Sequence, residues 1–108
     1  MRMKSSSSMS VGQAVSDLKN NGYSTEFRRD PNRLYCVEAH RWIGSEQFTV
    51  DESYHFEVRS SPNDDRVLYA ISSDMGIKGV LVEGYGVYAD NISHELAEKL
   101  VIVNHVNL

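Results

Sequence analysis

The chain reads as an α+β domain: a helix near the N-terminus, an antiparallel sheet of about five strands, and a C-terminal helix, both helices packed on one face of the sheet. Three observations predict this. Apolar residues recur with helical spacing at the two ends and alternate with a period of two between them. The intervening connections are short and rich in turn residues, which favours hairpins and leaves no room for repeated parallel crossovers. A length of 108 residues fits one domain, because half of it is too small to bury a stable core.

Residues 1–9 are serine-rich, polar and aperiodic, which predicts a flexible tail ahead of a single α+β domain over residues 10–108. Ser10 and Gln13 form the S-x-x-Q pattern of a capping box. Val11, Ala14, Val15 and Leu18 then make one apolar stripe, and Asn20-Asn21-Gly22 supplies a left-handed stop, with Tyr23 set to fold back on Leu18.

Tyr23 to Arg29 and Arg33 to Ala39 read as a hairpin around Asp30-Pro31-Asn32, where proline presets the turn dihedral. From Ser53 to Arg59 the residues alternate, with Tyr54, Phe56 and Val58 on one face and His55, Glu57 and Arg59 on the other, as in a half-buried strand. Arg66 to Ser73 is apolar on both faces, with Val67, Tyr69 and Ile71 against Leu68 and Ala70, and predicts a central strand. Ser73-Asp74-Met75-Gly76 turns the chain into a partner strand, Ile77 to Glu83. After Gly84-Tyr85-Gly86 an extended course resumes over Val87-Tyr88-Ala89. A last helix starts near Ser93 with Leu96, Ala97, Leu100 and Val101 inward, and frays before Leu108.

Composition narrows the function classes. Fifteen acidic residues against eleven lysines and arginines give a net charge of −4, which argues against nucleic acid as the partner. No apolar run suggests a membrane span and no h-region suggests a signal peptide, so a cytoplasmic location is expected. The single cysteine, Cys36, reads as a small buried hydrophobe.

A search for chemistry returns little, and no cofactor is expected. Gly84-Tyr85-Gly86 followed by Ala89 is a partial dinucleotide fingerprint, but the residues after it read as extended rather than helical, so a bulge or turn competes with phosphate binding. His40, His55, His94 and His105 have no metal-ligand spacing. His55 and Glu57 share a strand face, where a solvated ion pair or a cross-strand polar contact is the expected use. Asp51-Glu52 and Asp64-Asp65 do not follow a calcium-loop pattern. Tyr54, Phe56, Tyr69, Tyr85 and Tyr88 suit core packing better than base stacking.

One feature points outward. With both helices on one side, Leu68, Ala70, Leu81 and one of Trp42 or Ile43 cannot all be covered, and Leu68, Ala70 and Leu81 become the expected interaction face. The competing cover is the segment 39–52 of the chain itself.

Tyr69-Ala70-Ile71-Ser72-Ser73-Asp74, Gly79-Val80-Leu81-Val82 and Gly84-Tyr85-Gly86-Val87-Tyr88, with Gly22-Tyr23, Phe27 and Glu98-Lys99-Leu100, resemble a family of short uncharacterised bacterial proteins. Some of its members bear the label phosphoribosylpyrophosphate synthetase. The resemblance implies a compact, self-associating α+β domain. The chain lacks that synthetase's pyrophosphate loop and magnesium ligands, so no catalytic residue is carried over. The expected function is a non-catalytic binding or regulatory module, a homodimer or the partner of another protein. The alternatives are a small enzyme or nucleotide- or phosphate-binding protein using Gly84-Tyr85-Gly86, and an acidic, antitoxin-like inhibitor.

Overall fold

The computed structural model describes residues 10–57, 65–84, 92–100 and 104–107, the last four through their backbone alone. The expected tail over residues 1–9 and the extended course over Val87-Tyr88-Ala89 lie outside the described residues.

Helix α1 (Val11–Asn20) forms where the capping box predicts, with the Ser10 hydroxyl accepting the Gln13 N–H at 3.1 Å. It ends in a Schellman motif: the Tyr23 N–H donates to Leu18 O and the Gly22 N–H to Lys19 O, with Gly22 at φ 105°. The strands are β1 (Thr25–Arg29), β2 (Arg33–Cys36), β3 (Arg41–Gly44), β4 (Phe48–Glu57), β5 (Arg66–Ser73), β6 (Lys78–Gly84) and β7 (Asn104–Asn107), with α2 (His94–Lys99) between the last two. The Asp30 carboxylate accepts the Asn32 and Arg33 N–H groups and closes the β1–β2 turn. The Ser73 hydroxyl does the same for Met75 and Ile77 in the β5–β6 turn, where Gly76 has φ 84°.

The class is α+β, but the sheet differs from the expected one. It has seven strands in the order β3-β2-β1-β6-β5-β4-β7. It is mixed, because β1 runs parallel to β6 and β7 parallel to β4, while the other pairs are antiparallel. Segment 39–52 contains β3, a 3-10 turn at Ser45–Gln47 and the first half of β4. The last helix is short: α2 stops at Lys99 and the chain returns as β7.

The helices lie on opposite faces, which corrects the one-face arrangement. Strand β5 sets the reason. Its residues Leu68 and Ala70 join Ala14 and Leu18 of α1, with Tyr23, Phe56 and Val80, in one cluster. Val67, Tyr69 and Ile71 join Leu96 and Leu100, with Phe27, Leu34, Cys36, Ile43, Phe48 and Leu81, in the other. A strand apolar on both sides needs cover on both sides, since each buried Leu or Val contributes about 1.5–3 kcal/mol. The α2 face is closed further by the crossover from β3 to β4, and Lys99 Nζ donates to Phe48 O. At the other end of α2, the Ser93 N–H donates to Pro31 O at 2.6 Å.

Candidate functional site

The expected interaction face is not a face. Leu68 and Ala70 sit beneath α1 and Leu81 belongs to the α2 cluster, and all three are buried by the chain itself. Ile43 also is buried, whereas its neighbour Trp42 is 46% exposed. Of the expected ligand turn, Gly84 ends β6, and Tyr85 and Gly86 lie outside the described residues. Cys36 is buried as expected.

The exposed surface lies on the α1 side of the sheet, beyond the part of that face that α1 covers. Register pairs Trp42 with Tyr35 and Tyr35 with Arg28. Val82 lies two residues past Val80, which pairs with Glu26 across the parallel junction. Trp42, Tyr35, Arg28 and Val82 therefore form one row across β3, β2, β1 and β6, at strand spacings of about 4.8 Å. Val82 is 41% exposed. The row is pre-arranged. The Arg33 guanidinium lies 4.1 Å from the Trp42 ring centroid, and the Tyr35 ring packs beside Trp42 at 4.9 Å and 55°. The Tyr35 hydroxyl meets His40 Nδ1 at 3.1 Å, and His40 holds a left-handed φ of 55° in the β2–β3 turn. Lys19 of α1 reaches Glu26 of β1 at 3.0 Å, where the covered half of this face gives way to the open half.

A second polar group surrounds a bulge in β4. The register shifts between Val50 and Glu52, leaving Asp51 as the extra residue. Its carboxylate accepts the hydroxyls of Tyr23 at 2.8 Å, Ser72 at 2.5 Å and Thr49 at 3.3 Å. Partial burial raises its pKa, but the bonds from Ser72, Tyr23 and Thr49, with the Lys78 charge, outweigh this and hold it below the ordinary value. Burial, then the Asp51 hydrogen bond and charge, push Tyr23 up to about 12. Burial and then Glu52, which accepts the Tyr54 hydroxyl at 2.5 Å, push Tyr54 up as well. Phenols kept protonated around a carboxylate kept ionised make a bracing network, with Asp51 already engaged by three donors and poorly suited to take a proton.

The third group gathers His55, Glu57 and Asp65. Their ligand atoms lie within 4.8 Å of one another. His55 is 4% exposed, and its Nε2 meets Asp65 Oδ2 at 3.0 Å. The expected cross-strand contact thus exists, but to Asp65, just before β5, and buried rather than solvated.

No family model, no curated protein and no solved structure matches the chain.

Proposed function

We propose that the protein is a non-catalytic binding module that docks an acidic, extended segment of a partner protein on the open half-face of β1, β2 and β3. One observation carries this reading: Trp42, nearly half exposed, is held between Arg33 and Tyr35 in a row that continues to Arg28. Tryptophan, tyrosine and arginine are the residues in which binding energy concentrates at protein interfaces. A pre-stacked ring loses little rotamer freedom on docking. Charge supports the choice of occupant, because two arginines, Arg28 and Arg33, flank the rings on this face in a chain whose net charge is −4. An inhibitor acting through acidic residues has the opposite polarity, and the arginines favour the docking of acids.

Trp42 is the sole tryptophan, so its fluorescence reports on the site directly. Titration with glutamate-rich peptides is expected to change its emission, with affinity falling as salt rises. Trp42→Ala, read by polarisation of a labelled peptide, should weaken binding by at least about 2 kcal/mol, roughly thirtyfold in Kd. Arg33→Ala should act in the same direction. The reading fails if acidic peptides leave the emission unchanged. It fails equally if a single-stranded oligonucleotide binds in their place, or if the emission changes only with protein concentration, as for self-association through this face.

A further inference from the structure

We infer that His55, Glu57 and Asp65 form a binding site for a first-row divalent cation of the zinc type, at the point where the chain leaves β4 and enters β5. The inference is independent of the docking face, which lies on the other side of the sheet. His55 and Glu57 are two residues apart on β4 and so share a face. Continuing the register beyond the Phe56–Arg66 pair brings Asp65 opposite Glu57. One imidazole nitrogen and two carboxylates converge there, with all three ligand atoms within 4.8 Å of one another. An ion bound at 2.0–2.2 Å needs donors about 3–3.5 Å apart. The His55–Asp65 contact already meets this at 3.0 Å. Glu57 closes the remainder by a side-chain rotation, being only half-buried.

Burial strengthens the case. The His55 and Asp65 side chains are 5% and 13% exposed, so a cation here is attracted by two carboxylates through a medium less polarisable than water. The nitrogen donor selects the metal: imidazole suits zinc and its first-row neighbours copper, iron and nickel, whereas magnesium, calcium and manganese take oxygen sets. Three protein donors leave a coordination position for water. Backbone register also pairs His105 of β7 with His55, so a second histidine stands at the neighbouring position. A bound cation takes the place of the direct contact between His55 Nε2 and Asp65 Oδ2. Because Glu57 and Asp65 stand at the two strand ends, one ion ties β4 to β5.

The test uses the full chain after chelator treatment, titrated with Zn2+ and Co2+ by calorimetry, by cobalt absorbance and by thermal unfolding. One ion per chain is expected, with a Tm rise of more than about 5 °C at a hundredfold excess over Kd, and no rise with Mg2+ or Ca2+. Glu57→Gln and Asp65→Asn keep side-chain shape and should each weaken binding more than about tenfold, the lower bound for loss of an outer-shell partner. Glu57→Gln serves alone if Asp65→Asn does not fold. His94→Ala removes the exposed His94–Glu98 pair and should change nothing. No binding of Zn2+ or Co2+ overturns the inference. So does binding that survives both carboxylate substitutions, or that is lost in His94→Ala.

Discussion

Gly79→Ala tests the arrangement on which the docking row depends. Strands β1 and β6 meet in parallel at Thr25 and Gly79, and this junction joins the β3-β2-β1 half of the sheet to the rest. A Cβ on Gly79 falls 2.3 Å from Thr25 O, 2.8 Å from Thr25 C and 3.0 Å from Phe27 Cε2. The first distance is about 1 Å shorter than a close C···O approach. The obstacle is backbone held by strand pairing, so it yields only by separating β1 from β6. Overpacking of this kind costs about 3 kcal/mol, and replacing glycine in a strand returns about 0.5–1 kcal/mol, leaving a net loss of about 2–2.5 kcal/mol. With an m-value of about 1.2 kcal/mol/M, the urea midpoint falls by about 2 M. Tm falls by roughly 10 °C or more. Equilibrium unfolding followed by circular dichroism reads both. A midpoint within about 0.3 M of the parent would refute the close β1–β6 approach, and with it the row from Trp42 to Val82.

Three further substitutions probe other parts of the fold. Ser10→Ala removes the cap on α1 and should cost about 1 kcal/mol in urea unfolding. Glu83→Gln takes the counter-charge from Arg29, whose side chain is 5% exposed and 3.0 Å from Glu83; the expected loss is about 3 kcal/mol, and replacing both residues by apolar ones should recover most of it. Tyr23 has its folded pKa raised from 10.0 to about 12, so its contribution to stability is full below pH 10 and lost as pH rises through about 12. Tyr23→Phe should flatten the stability profile in that window relative to the parent, as measured by urea midpoints at successive pH values.

Local signals were legible in the sequence where one segment settles them. The Ser10–Gln13 cap, the Gly22 stop, the Asp30 turn and both faces of β5 all appear as written. The parallel pairs were not legible, because they join strands far apart in the chain, β1 to β6 and β4 to β7, and β3 was missed because it buries only Ile43 and gives no alternation to read. Strand β7 was hidden by Val101, which extends the helical stripe of Leu96, Ala97 and Leu100. The side taken by each helix was also beyond reach, because an apolar stripe states that a helix is covered and not which sheet face covers it.

The site was less legible than the fold, and sheet geometry says why. Strands paired side by side at about 4.8 Å spacing present more face than one helix can cover, since a helix with its side chains is about 10–12 Å across. Helix α1 therefore shelters about two strands, those carrying Leu68, Ala70 and Val80, and part of its side of the sheet is bound to stay open. The α2 side escapes this, because Phe48 and Val50 at the start of β4 pack into the cluster that α2 covers. An open half-face that served stability alone needs only polar or β-branched residues. Here it carries Trp42, Tyr35, Arg33 and Arg28, brought together by the registers of three strands, and no linear pattern in the sequence marks them as neighbours. His55, Glu57 and Asp65 were obscured in the same way: the strand pattern showed the first two, and only the β4–β5 register brings in the third. Both groups owe their existence to strand pairing, so a substitution that shifts a register should abolish function before it abolishes folding.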